Sequence, residues 1–461
     1  MKCWSSSRRD FLKTIAGLAV SGTALARTRR PLERPVLIVG GGLAGLAVLD
    51  ALKAAGRQAV LFEASPRLGG RILTIRDGLE PGLRAEAGGE QIMRIHQRVH
   101  RLASDLRIPL IDYPFLEGDL VFRYHGRMLR FRLPSDLPAA LTDGLSPWEK
   151  TRWPHRLHLA YTENADPLAD DDPRSALQWL RDLGLSRRGE AFVRAFAAID
   201  PEQTSAAYFQ RIARREAAGG NSQVLAGGSD CLSEALAARH AQSIRRNTPI
   251  KTVVIGANTA TLLDAAGVAH VADQVVLALP LGPLLELDYR PGQPRWLSRW
   301  GAARVVAHEL KVHGQVDARE LAALGIRQHI MGFEFPRMTW LLPERSANGK
   351  AVLSATAVNQ EIPLLQAARF RGVQDMDRLL RQQLPLLRSL AVKTRGEDWE
   401  HNPLIGGAYT YAPTGSRGAP PVLREGPLVL AGSDYSDYSG WMEGALQSAE
   451  AAVSEILRYS P

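Results

Sequence analysis

Three glycines and one carboxylate are the part of this 461-residue chain most plainly equipped for chemistry: Gly40-x-Gly42-x-x-Gly45, then Glu63. The first glycine permits a tight turn, the second lets a pyrophosphate approach the backbone, and the third lets a helix pack closely on a strand. Glu63 stands 18 positions past Gly45, where a carboxylate accepts hydrogen bonds from a ribose 2′-hydroxyl. A 2′-phosphate is disfavoured there, because two negative charges would meet. The elements around these residues suit the task. Val36 to Val39 is an apolar run that predicts a strand buried on both faces. Leu46 to Ala55 has helical spacing, so its N-terminus aims N–H groups and positive dipole at the phosphates. Gln58 to Phe62 predicts the second strand. Strand, turn, helix, strand and acid in this order make one βαβ unit of about 30 residues. That order argues against an ordinary glycine-rich turn, and it implies a bound dinucleotide touching Gly40, Gly42, Leu43, Ala44 and Gly45.

The next residues narrow the dinucleotide. Glu63-Ala64-x-x-Arg67-x-Gly69-Gly70-Arg71 resembles the extension that follows the fingerprint in the flavin amine oxidase superfamily, which includes monoamine oxidases, polyamine oxidases and L-amino-acid oxidases. Arg84–Gly89, Val275–Pro280, Gly406–Gly415 and Leu428–Leu457 share the resemblance, which covers nearly all of residues 34–458. It implies an α/β fold: a discontinuous Rossmann-like FAD-binding domain (34–113, 220–290, 398–461) with a mixed α+β substrate-binding domain (114–219 helical, 291–397 sheet). It further implies FAD contacts from Ala64, Gly70, Gly88, Gly89, Gly432 and Ala445, with Arg71 near the phosphates and Ile250 against the adenine. Met442, at a helix start, would turn its N–H to the flavin edge that becomes anionic on reduction.

The resemblance also implies the reaction: a hydride equivalent leaves a C–H beside nitrogen for flavin N5, and the imine hydrolyses. Tyr409 and Trp441 match the two rings that flank the amine in monoamine oxidases. The pattern departs from the family at four places. Ala408 stands where monoamine oxidases attach flavin through cysteine, so FAD is expected to be non-covalent. Ala303-Arg304-Val305 occupies the stretch that usually supplies a lysine near N5, which makes Arg304 the catalytic candidate there. Asp434 replaces a glutamate and would reach the ribitol less far. Glu86 replaces the usual aspartate of the step under the flavin. Arg94 is the candidate reader of a substrate carboxylate, with surface exposure as its competing reading. The expected substrate is an amine first and an amino acid second, with O2 or a periplasmic electron acceptor taking the electrons. Two other readings stay open: a desaturase or protoporphyrinogen-type oxidase, and a flavin-bearing partner subunit without turnover.

Length and composition bound these expectations. With 45% hydrophobic and 23% charged residues the chain reads as globular, long enough for two or three domains. Its net charge is +9, and residues 1–26 carry +3 of it. The remainder is dispersed, without the basic blocks that bind nucleic acid. Ser7-Arg8-Arg9-Asp10-Phe11-Leu12-Lys13, a moderately apolar stretch and Ala24-Leu25-Ala26 resemble a twin-arginine export signal with its cleavage site. Partnership with that export machinery, a periplasmic location and no membrane span in the mature chain follow as expectations. Of two cysteines, Cys3 lies in the leader and Cys231 is expected in the core. His96 and His100, four apart, are expected on a solvated helix face, and Asp172-Pro173 is expected to start a helix.

Overall fold

The computed structural model describes residues 34–113, 119–132, 137–197, 199–220, 222–327, 329–358, 361–394, 396–416 and 424–459. The export signal read in residues 1–26 lies outside them. Apolar runs too short for helices become the central strands β1 (Val36–Val39) and β2 (Ala59–Phe62), with β1 buried at every position. Helix α1 (Leu43–Ala54) joins them. β3 (Val275–Leu277) pairs parallel with β1 on its other side. The six-stranded sheet runs 244–245, β2, β1, β3, 428–430, 424–425, parallel except at its last pairing. Four other helices matter below: α2 (Gln97–Leu106), α3 (Ala206–Ala218), α4 (Arg295–Ala302) and α5 (Met442–Arg458). α1, α2 and α5 cover one face of the sheet in a shared core with Leu46, Leu49, Val99 and Val453 almost wholly buried.

A seven-stranded sheet lies beyond, in the order 391–394, 309–317, 350–358, 338–345, 329–332, 119–124, 127–132. Helices between 139 and 218 pack on it through Trp179, Phe192 and Phe209. Two strands link this sheet to the dinucleotide side: β4 (Val305–Ala307) and, after one residue, β5 (Glu309–Asp317). β5 belongs to the large sheet, whereas β4 pairs antiparallel with β6 (Tyr409–Tyr411). One chain pass therefore carries side chains from the large sheet to the edge of the fingerprint. β7 (Leu428–Leu430) completes the parallel sheet beside β3.

Two local readings are corrected. The helix expected at Asp172 starts at Ala176, capped by Ser175, whose hydroxyl accepts from the Gln178 N–H at 3.1 Å. Asp172 instead holds the Arg174 guanidinium at 2.8 and 3.0 Å. Cys231 sits in the first turn of helix Asp230–Arg239, a free and half-buried thiol rather than a core residue.

Candidate active site

Outside the carboxyl ends of β1, β2 and β3 lies a cavity of about 400 Å³, roofed by β6 and the start of α5. This is the position at which open parallel sheets bind their ligands. Most residues singled out from the sequence line it: Gly40, Gly42, Leu43, Ala44, Glu63, Ala64, Gly70, Arg71, Gly88, Gly89, Ile250, Tyr409, Gly432, Trp441, Met442 and Ala445. Gly45, Glu86, Arg94, Arg304 and Asp434 do not.

The glycines divide by role. A Cβ on Gly45 would lie 2.0 Å from the Gly40 carbonyl oxygen, and one on Gly40 would lie 2.4 Å from that of Ala278. Both seat α1 against β1 and β3. A Cβ on Gly42 would meet nothing nearer than 3.8 Å and would project into the room that a pyrophosphate needs. Gly88 is again a packing glycine, its Cβ position 1.9 Å from the Arg71 oxygen. Glu63 accepts from the N–H groups of Gly41 at 2.6 Å and Ser65 at 2.8 Å, so its carboxylate is fixed in the cavity wall. An open cradle at Gly42, a helix N-terminus and an oriented carboxylate fit a dinucleotide.

Arg71 lines the cavity, but its guanidinium is spent on protein. Nη1 donates to Ala408 O at 2.9 Å and Asp434 Oδ1 at 2.9 Å; Nη2 donates to Ser433 Oγ at 3.0 Å and Asp434 Oδ2 at 3.1 Å. The expected ribitol contact of Asp434 is thereby corrected. Its carboxylate is buried, paired bidentately with Arg71, and also accepts from the Leu281 N–H at 3.3 Å. A carboxylate so enclosed needs that partner. Arg67, which sequence left without a role, donates to the oxygens of Leu68, Gly70 and Ile72 at 3.1, 2.6 and 2.9 Å and holds the Gly69-Gly70 turn in shape.

The other end of the cavity is aromatic. Gly440, with φ +84° and a Cβ position 3.1 Å from Tyr409 Cβ, lets the turn before Trp441 lie against Tyr409, so both rings line one end. Behind Trp441 stands His96, 4.9 Å between ring centroids. The solvated face expected for His96 and His100 is corrected: His96 is buried, its Nδ1 accepts from the Met93 N–H at 3.1 Å, and burial pulls its pKa down to about 4. His100 bonds to Met93 O at 3.0 Å.

Two candidate cations lie elsewhere. Arg94 is exposed, its stem against Gly220. Arg304 lies behind β6, stacked 3.6 Å over Trp300. The lysine of the cavity is one that sequence reading passed over. Lys311 on β5 donates to Gly88 O at 2.9 Å and Glu90 Oε2 at 3.3 Å. Glu90 is buried and also accepts from Trp340 Nε1 at 3.0 Å. Although burial opposes its charge, Glu90 and Glu309 hold Lys311 protonated. The signal was present: Glu309 and Lys311 alternate onto one face of a strand, and both line the cavity. Glu86 lies under this floor, outside the lining. Burial, then Glu90, push it up to about 7.

A model of flavin-containing amine oxidoreductases matches residues 43–457. The chain belongs to that family. FAD is its cofactor, and it is an amine oxidoreductase. A flavin-containing amine oxidase of Oncorhynchus mykiss is similar at 23% identity, over 92% of this chain and 85% of that one. Nicotine dehydrogenase of Pseudomonas putida is 22% identical, over 98% and 97%. In fold, the chain is similar to wild-type putrescine oxidase bound to putrescine, with a TM-score of 0.76 at 20% identity, over 92% and 99% of the two chains.

The glycine geometry gives a paired expectation. Gly45→Ala should lower the thermal midpoint of the apoprotein, since α1 must lift off the sheet. Gly42→Ala should leave that midpoint unchanged and weaken FAD binding at least tenfold, measured by titrating apoprotein with FAD. Equal behaviour of the two variants would refute the division of roles.

Proposed function

We propose that the protein oxidises a primary or secondary amine to an imine using non-covalently held FAD, and that it does so after export by the twin-arginine route. The observation that carries the substrate reading is the charge inside the cavity. Its basic lining residues are Arg67, Arg71, Lys251 and Lys311. Arg67 is committed to three carbonyls, Arg71 to Asp434 and Lys311 to Glu90. Lys251 is exposed and follows Ile250, close in sequence to Thr248, whose N–H donates to Glu63 O at 2.9 Å. A substrate α-carboxylate would meet the Glu309 carboxylate, which lines the cavity and opposes ionisation of Tyr409. Burying a carboxylate without a cation costs several kcal/mol. An amine fits; an amino acid does not.

Bound FAD supplies the two-electron acceptor for a C–H bond beside nitrogen. The chain supplies placement. Tyr409 and Trp441 attract an ammonium by their ring faces and then hold the neutral amine. Burial, and Glu309 after it, keep the Tyr409 phenol protonated, so no phenolate competes for the amine's charge. His96, kept neutral, puts no cation behind Trp441 to repel the substrate. Oxygen as the oxidant accords with the oxidases among the relatives. Non-covalent attachment rests on Ala408, which lines the cavity with no thiol to offer. Export rests on Arg8, Arg9 and Ala24–Ala26. Among the described residues no helix is long and apolar enough to cross a membrane.

Four outcomes are expected. In anaerobic flavin reduction with matched pairs, each amine should outrun its α-carboxylated parent. Trp441→Ala should slow reduction on the order of 100-fold while FAD is retained; amino acids winning every pair, or a normal rate in the variant, would overturn this reading. Acid precipitation should release all yellow colour into the supernatant, and colour kept in the pellet would mean a covalent bond. Changing Arg8 and Arg9 to lysine should leave the chain uncleaved in the cytoplasm, whereas an undiminished periplasmic yield would remove the export proposal.

A further inference from the structure

The chain between β4 and β5 is a single residue, His308, and its Nδ1 stands 3.8 Å from Glu400 Oε2. Glu400 belongs to the segment Asp398-Trp399-Glu400-His401, in which His401 Nδ1 lies 3.1 Å from Asp398 Oδ2. One ligand atom from each of Asp398, Glu400 and His401 falls within 4.8 Å of the others. We propose that His308, Asp398, Glu400 and His401 bind one divalent transition-metal ion of the zinc type.

Two observations point to it independently. The first is the donor set and its spacing. Two imidazoles with two carboxylates suit zinc and its first-row neighbours better than magnesium or calcium. Nitrogen and oxygen ligands held at about 2.1 Å by a tetrahedral zinc stand roughly 3.3–3.4 Å from one another. The pairs seen here, at 3.1 and 3.8 Å, bracket that spacing. The second is an unmet ring nitrogen on a different segment. His308 Nδ1 is buried and has no hydrogen-bond partner among the described residues. Facing a carboxylate just beyond hydrogen-bonding reach is costly for both. An ion between them would take a lone pair from each.

The remaining contacts orient the carboxylates without using them up. Helix Ile362–Arg371 supplies Gln366, whose amide donates to Glu400 Oε2, and Arg369, whose Nη1 is 3.9 Å from Asp398 Oδ2. Asp398 Oδ1 accepts from the His401 N–H at 3.3 Å. Each carboxylate oxygen has a second lone pair to give. Asp398 is buried whereas the His401 side chain is 50% exposed, so an ion has a path in and water can complete its shell. A second cluster, Asp230, Cys231 and Glu234, has no histidine, and Arg76 claims both Asp230 oxygens at 2.7 and 2.9 Å. The proposed ion is structural. Trp399, between two of its ligands, lines the cofactor cavity and donates to Ala87 O at 3.0 Å, and Glu309, next to His308, lines it too. The ion would clamp these two wall segments together from outside.

The test uses untagged holoenzyme, treated with a chelator, dialysed and titrated with zinc chloride or cobalt chloride alone. The expected result is one ion per chain and a saturable rise in thermal midpoint of about 3 °C, which magnesium does not reproduce. With cobalt, a d–d absorption to the red of the flavin bands should grow in with the same stoichiometry. His401→Gln should weaken binding on the order of 100-fold while leaving the FAD content at the wild-type level. His308→Gln should do the same, and it decides the matter if His401→Gln does not fold. Cys231→Ser should bind as the wild type does. No saturable binding, wild-type binding in the folded histidine variants, or binding lost in Cys231→Ser would each overturn the proposal.

Discussion

One guanidinium joins the parts of this protein that are farthest apart in sequence. Arg71 leaves the loop after the fingerprint and reaches Ala408 at the head of β6 and Ser433 and Asp434 in the turn after β7. A planar fork with five donors is the one side chain that can satisfy a carbonyl, a hydroxyl and both oxygens of a carboxylate together. Without it the buried Asp434 carboxylate would be an uncompensated charge, which is strongly destabilising. Those three segments are walls of the cofactor cavity, so the cavity's shape depends on this pair. A lysine here would neutralise the charge and lose the fork.

The floor of the cavity follows the same rule of partnered burial. Glu90 meets Lys311 and the Trp340 N–H; Glu86 meets Thr74 at 2.9 Å, Arg84 at 3.3 Å and the Ser229 N–H at 3.2 Å. Each buried carboxylate draws a donor from a different segment. Strand β5 can deliver Lys311 because it is shared between the large sheet and the cavity edge. Charge inside the site is set by which of these groups remains unmatched toward the substrate, and that balance favours cations.

Much of the nucleotide end was legible in the sequence because its constraints are local. Gly40, Gly42, Gly45 and Glu63 lie within one βαβ unit, and spacing alone specifies their geometry. The parallel sheet and the helix starting at Met442 were legible for the same reason. Residues whose partners are distant were not. Nothing near Asp434 in sequence foretells that Arg71 claims it, and nothing near Arg304 shows that β6 will lie between it and the cavity. Lys311 was missed because its partners, Gly88 and Glu90, lie 223 and 221 positions away in sequence. His96 reads as an ordinary polar helix residue until Trp441 arrives over it from the other end of the chain.

The order of strands in the parallel sheet has a consequence for how the protein is made. β1 lies between β2, its neighbour in sequence, and β3 from the middle of the chain; β3 in turn needs β7 from near its end. Until the last segments leave the ribosome, β3 has an open edge, Arg71 has no Asp434 and α1 lacks the cover of α5. At about 5–20 residues per second, synthesis takes on the order of a minute, and throughout it the nucleotide cradle has no roof. Closing the site is therefore a post-translational event, with cofactor capture coupled to the final collapse of a non-local sheet. Any cellular step that must act on finished holoprotein has a natural checkpoint in that collapse.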